Sequence, residues 1–150
     1  MDEKLFNEKF KEVKESLVVD TNEHPFYMLN VKFFRNTEDY SLYERLVYID
    51  LACYAGQKKN TAYPSTSTIA KNLGISRRTV FNTLKSLEEK GAILTINRIW
   101  ENKSKTSNMY VLASIDLNTG KIIKESLEPF IKFKKEVIKR GAVKVSKDKK

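Results

Sequence analysis

Apolar side chains recur along this chain at helical spacing in most places and at strand spacing in a few. Phe6, Phe10, Val13 and Leu17 step by four, three and four residues with Glu and Lys between them. That spacing predicts an amphipathic helix. Residues 20–25 break it. Over residues 26–34, Tyr27, Leu29, Val31 and Phe33 alternate with Met28, Asn30 and Lys32, and alternation predicts an extended segment. A polar turn follows at 35–40. Ser41 has the place of an N-cap, with Glu44 three residues on, the spacing of a capping box. Behind it Leu42, Leu46, Ile49 and Cys53, together with Val47 and Leu51, predict a helix with a wide apolar face and hence a central, buried position. Gly56 ends it, and residues 57–63 read as a polar loop.

Residues 64–76 predict a short helix, a tight turn at Gly74 and a fresh N-cap at Ser76. The next helix carries Val80, Leu84 and Leu87 and stops at Gly91. Residues 93–96 and 109–112 read as two strands. They pair as a hairpin whose long tip, 97–108, is polar and basic around Ile99 and Trp100. Residues 116–120 are a turn. Leu127, Phe130, Phe133 and Val137, with Ile131 and Ile138, predict a last helix that ends before Gly141. Residues 142–150 show no periodicity and are mostly lysine, so they are expected to be disordered.

Two helices joined by a short glycine turn form a helix-turn-helix. Ala70, four residues before Gly74, is small where the helices must cross. Ile69, Leu73, Ile75 and Val80 supply the shared apolar patch. With about 100° per residue and Val80 taken as buried, Arg78, Asn82 and Lys85 fall on the opposite side of the second helix. Arg and Asn match the edges of guanine and adenine in a major groove. Ser76, Arg77 and Thr79 sit at the helix start, where amides and hydroxyls suit phosphate. Any solvated helix face carries charge; the glycine turn and the hairpin that follows favour a recognition helix over residues 76–90. Glu88 and Glu89 lie at its far end. The hairpin then has the place of a wing, with Arg98, Lys103, Ser104, Lys105, Thr106 and Asn108 directed at phosphates or a minor groove. Ile99 and Trp100 are either groove wedges or, in the preferred reading, fold back on the core.

Charge sharpens this picture. The net charge is +9, and it is unevenly placed. Residues 1–50 hold seven basic and eleven acidic residues, a balance of −4; residues 71–108 hold eight and three, +5; residues 120–150 hold eleven and four, +7. A basic middle and end attract polyanions, nucleic acid first. No apolar run approaches the roughly 20 residues of a membrane span, and the charged start, 1–14, does not have a signal-peptide pattern. One cysteine, Cys53, placed by its apolar helix face in the core, suits a reducing cytoplasm. His24, the one histidine, precedes Pro25 in a polar turn and reads as a surface residue. No Cys/His cluster has metal-ligand spacing and no glycine-rich phosphate loop occurs. No catalytic residue, cofactor, metal or small-molecule ligand is therefore expected.

The runs Tyr63-Pro64-Ser65, Ile69-Ala70-Lys71-Asn72-Leu73-Gly74-Ile75-Ser76-Arg77-Arg78-Thr79-Val80, Leu84-Lys85-Ser86-Leu87-Glu88-Glu89-Lys90-Gly91 and Thr106-Ser107-Asn108-Met109-Tyr110 resemble a winged-helix family of Gram-positive bacteria, their plasmids and phages. Its members include replication initiators, conjugation accessory proteins and transcription regulators. The resemblance spans roughly residues 26–112. It implies that Arg77, Arg78, Thr79 and Asn82 lie on the recognition helix, that Ser65 and Thr66 grip the backbone at the start of the preceding helix, and that Thr106 and Asn108 end the wing. The wing tip at 101–105 bears lysines where that family has glycines.

The expected fold class is mainly α with a small β-hairpin (α+β). Its parts are an N-terminal amphipathic helix at 1–20, a winged helix-turn-helix at 26–119, a C-terminal helix at 120–141 and a basic tail at 142–150. The expected function is sequence-specific binding of double-stranded DNA, as a transcription regulator or an accessory factor of a plasmid or phage. The expected contacts are Ser65, Thr66, Ser76, Arg77, Arg78, Thr79, Asn82, Lys85, Arg98, Lys103, Lys105 and Asn108. The alternatives are a replication initiator, for which 120–150 is short as a further domain, and a winged helix that binds RNA or protein. Apolar stripes on both terminal helices predict a homodimer.

Overall fold

In the computed structural model, residues 2–15, 29–55, 60–100, 102–137 and 142–145 are described. The first helix, α1 (Glu3–Glu15), follows the predicted periodicity. The Asp2 carboxylate accepts from the Leu5 N–H at its start. Leu17, His24 and residues 26–28 lie outside the described residues.

Where an extended segment is expected, the structure has a one-turn helix, α2 (Val31–Phe34). Asn30 caps it: its side-chain oxygen accepts from the Phe33 N–H at 2.9 Å. One such local bond diverts the backbone from a strand. Of the alternating residues Leu29, Val31 and Phe33, only Phe33 is buried. Its ring packs 4.8 Å from that of Tyr48 and 5.7 Å from that of Tyr40.

The central helix, α3 (Leu42–Ala55), opens on the predicted capping box. Ser41 Oγ accepts from the Glu44 N–H, and Glu44 Oε1 accepts from the Ser41 N–H at 2.9 Å. Its buried stripe is Glu44, Val47, Tyr48, Leu51, Ala52 and Ala55. Of the expected apolar face, Val47 and Leu51 are in this stripe. Leu42 and Cys53 are exposed and Leu46 and Ile49 half-buried, so Cys53 is a surface thiol and not a core residue. The physical reason is that the two polar members of the buried stripe find partners. The Tyr48 hydroxyl donates to the Ala113 carbonyl, and Glu44 accepts from three donors. The alanines then let other elements approach closely.

After α3 come β1 (Thr61–Ala62), α4 (Thr66–Leu73), α5 (Arg77–Glu89), β2 (Ile93–Trp100) and β3 (Met109–Leu112). β1 and β2 both pair antiparallel with β3. Thr61 and Ala62, expected in a loop, are tied to Val111 and Tyr110. β2 runs four residues past its expected end because its outer part has a second neighbour. That neighbour is β6 (Ala142–Val145), paired parallel to it from Asn97 opposite Ala142 to Trp100 opposite Val145. The start of the expected disordered tail is thus a strand, since the open edge of β2 offers it backbone partners. Residues 146–150 lie outside the described residues.

Between β3 and β6 are a small hairpin, β4 (Ser114–Ile115) with β5 (Ile122–Ile123), a 3₁₀ turn (Lys124–Leu127) and α6 (Glu128–Val137). The expected turn at 116–120 is present, closed by the Asp116 carboxylate accepting from the Asn118 and Thr119 N–H groups. Gly120, at φ +70°, lies so close to α2 that a Cβ would collide with the backbone of Lys32 and Phe33. Leu127 is buried and Ile131 half-buried, whereas Phe130 and Phe133, expected on the apolar stripe, are exposed. Ile138 lies outside the described residues.

The sheet is covered on both faces, as its residue alternation requires. Ile93, Tyr110 and Leu112 face the helices with Val47, Leu51, Ile69, Val80, Leu84 and Leu87. Leu94, Ile96 and Val111 face the other way, with Leu127 and Ile131.

Candidate nucleic-acid interface

The turn between α4 and α5 sets the angle of the second helix. Gly74 ends α4 in the left-handed conformation, φ +67°, and its N–H donates to the Ala70 carbonyl. A Cβ there would meet nothing within 4 Å. Glycine is needed for its backbone angle alone, which costs other residues about 1–2 kcal/mol. Ala70 is buried, as its smallness at the crossing predicts.

Both helices begin with the same device. Ser65 Oγ accepts from the Thr68 N–H at 3.1 Å and lies 2.9 Å from the Thr68 hydroxyl. Ser76 Oγ accepts from the Thr79 N–H at 3.1 Å and lies 2.8 Å from the Thr79 hydroxyl. The same Ser-x-x-Thr spacing recurs in the sequence at 65–68 and 76–79. Ser65 and Ser76 are the caps and take up the Thr68 and Thr79 N–H groups; the N–H groups at 66–67 and 77–78 have no intrahelical acceptor and suit an anion. Thr66 is half-buried at the first position of α4.

The far end of α5 is clamped to the start of α3. The Ser86 hydroxyl donates to Glu44 Oε2 at 2.8 Å, and Lys90 Nζ lies 2.8 Å from Glu44 Oε1. Lys90 also donates to the Asp39 carbonyl. Burial alone pushes the Glu44 carboxyl up. The bonds from Lys90, the Ser41 N–H and the Ser86 hydroxyl outweigh it and hold the carboxyl below its ordinary value. α4 is tied to α3 by Asn72, whose amide donates to the Tyr54 hydroxyl at 2.9 Å and to the Asp50 carboxylate at 3.3 Å.

Held in this way, α5 turns Val80, Thr83, Leu84 and Leu87 inward. Arg77, Arg78, Asn82 and Lys85 are all exposed. Among the described residues, none of these four side chains makes a hydrogen bond or ion pair. Phe81, which sequence reasoning missed, stands 62 % exposed on the same helix. Its signal was an apolar residue off the Val80–Leu84–Leu87 stripe.

The β2–β3 hairpin divides the expected wing residues into two groups. Lys103 and Lys105 are exposed at a tip shaped by its own bonds: the Lys103 N–H donates to the Trp100 carbonyl, and the Trp100 N–H to the Ser104 carbonyl, each at 2.8 Å. Lys103 has φ +67°. Arg98 and Asn108 are half-buried in the stem. Arg98 Nε donates to the Ser107 carbonyl at 2.9 Å, and its guanidinium stacks 4.5 Å from the Tyr63 ring centre. Burial pushes the Tyr110 hydroxyl up, and the neighbouring Asn108 side chain offsets part of that rise. The Arg98–Tyr63 stack joins residues with no local pattern between them and left no sequence signal. Ile99 and Trp100 are half-buried in the outer part of β2, where they lie opposite β6, and they pack on neither core cluster.

Among the described residues no group of acids, histidines and cysteines is placed to hold a metal ion, and no helix is long and apolar enough to cross a membrane. Comparison with curated proteins and with solved structures finds no match. Residues 41–93 match a family model described as a helix-turn-helix domain. That span runs from the cap of α3 to the first residue of β2, and with the hairpin behind it the fold is a winged helix-turn-helix.

Proposed function

We propose that this protein binds double-stranded DNA in a sequence-specific way, with α5 in the major groove and the wing tip on the phosphate backbone. One observation carries the reading. The outward side of a capped helix, in a chain matched to a helix-turn-helix domain, presents Arg77, Arg78, Asn82 and Lys85 with no partner among the described residues. Arg78 and Asn82 are four residues apart, so both can face one groove. Arg78 has the fork geometry for guanine and Asn82 the amide for adenine. Arg77, Lys85, Lys103 and Lys105 then meet phosphates, as do the first amides of α4 at Ser65–Thr66 and of α5. Arg98 and Asn108 act by shaping the wing. In an organism the same module serves as a transcription regulator or as an accessory DNA-binding factor of a plasmid or phage, a reading supported by the resemblance of residues 63–110 to such proteins.

The test is salt. If six to ten phosphates are met, affinity for duplex falls by roughly 10³ to 10⁵ between 50 and 200 mM salt. A binding constant that scarcely moves over that range contradicts the proposal. The exposed rings of Phe130 and Phe133 on α6 support a homodimer as the binding unit. Sedimentation at micromolar concentration is expected to give twice 17.4 kDa, and Phe133→Glu a folded monomer. A wild-type monomer at that concentration contradicts the dimer.

A further inference from the structure

Phe81 is the apolar exception on the outward side of α5. Among the described large apolar side chains only Leu117 is more exposed. Every other exposed position of α5 is polar: Arg77, Arg78, Asn82, Lys85, Glu88 and Glu89. Phe81 lies four residues after Arg77, three after Arg78 and four before Lys85, so three cations surround it at neighbouring helix positions. In projection it stands about 60° from Arg78 and about 40° from Lys85, on the flank of the face assigned to the groove.

A phenyl ring in water is unfavourable, and its surroundings limit what can cover it. An apolar protein surface laid on Phe81 would also strip water from Arg77, Arg78 and Lys85 without giving them partners, which is costly. A DNA major groove satisfies both needs at once. It carries one kind of apolar group, the C5 methyl of thymine, beside base acceptors and phosphates that pair with the cations. We propose that Phe81 is a specificity-determining residue that packs on a thymine methyl, within about two base pairs of those met by Arg78 and Asn82. This rests on the DNA-binding reading above and gives it chemical content: the preferred site contains a thymine recognised by its methyl group and not by hydrogen bonding.

The experiment first selects a site for the full chain from a random duplex pool. Each thymine of that site is then replaced singly by deoxyuridine, which removes the methyl and keeps every hydrogen-bonding group. At one or two positions wild-type affinity is expected to fall about fourfold, the factor for losing one buried methyl group. In Phe81→Ala the thymine-to-uracil ratio at those positions falls to about one, and Phe81→Leu keeps part of it. The exposure of Phe81 allows both variants to fold, which circular dichroism checks. A selected site indifferent to every thymine methyl, or a ratio unchanged in Phe81→Ala, overturns this proposal alone. Failure to select any duplex overturns the DNA-binding reading and this proposal with it.

Discussion

Helices α3 and α5 both carry polar side chains at their cores and edges, and they use them in opposite ways. On α3, Glu44 is bonded to Ser86 and Lys90, Tyr48 to Ala113, and Asp50 to Asn72. These groups are spent inside the fold. On α5, Thr83 turns inward and donates to the Thr79 carbonyl, while the outward Arg77, Arg78, Asn82 and Lys85 bond to nothing among the described residues. The contrast separates framework from interface. Polar residues that the fold satisfies hold α5 at its angle; those it leaves unsatisfied are available to a ligand. Substitutions on α3 should therefore act on stability, and those on the outward side of α5 on binding.

The largest effect expected of this contrast is Leu51→Ala. Leu51 is fully buried on α3, and truncating such a leucine costs about 2–5 kcal/mol. Thermal unfolding measures it. Next is the clamp at Glu44. Its carboxyl is held below the ordinary value in the folded chain, so it contributes stability above the unfolded-state pKa and loses it as pH falls through the folded one. Between pH 7 and pH 3 the wild type should lose about 1 kcal/mol more than Glu44→Gln, a modest sum because Lys90 is partly open to water. Equal acid sensitivity in both would show that the clamp does not hold the helices. Smallest is Cys53→Ser. The exposed thiol predicts a change within about 0.5 kcal/mol, whereas a loss like that of Leu51→Ala would restore Cys53 to the core.

The two helices also differ in how much of them can be read from sequence. α5 has apolar residues only where it is buried, Phe81 excepted, so its inward stripe and outward face follow directly from a period of 3.6. α3 is apolar nearly all round. Its Leu42–Leu46–Ile49–Cys53 stripe is as regular as the one actually buried. What decides between them is a set of tertiary partners for Glu44 and Tyr48 from positions 40 and more residues away. The same limit accounts for β6, whose strand exists because β2 has an open edge, and for α2, where a single Asn30 bond overrides a short alternation. The glycine turn, the caps at Ser41 and Ser76 and the β2–β3 hairpin were legible because each rests on local chemistry. The division of the wing into free tip lysines and a committed Arg98 was not, since Tyr63 reaches Arg98 only in the folded chain.

The central claim is that the outward side of α5 reads base edges. It is tested most directly by competing specific against random duplex for Arg78→Ala and Asn82→Ala, with circular dichroism as the folding control. Each bidentate contact discriminates by about 1–3 kcal/mol. Both variants are expected to stay folded, to keep nearly all of their affinity for random duplex through Arg77, Lys85, Lys103 and Lys105, and to lose preference at one base pair each. If both retain the full specificity of the wild type, α5 is not reading the major groove, and sequence must be read by the wing between Trp100 and Asn108.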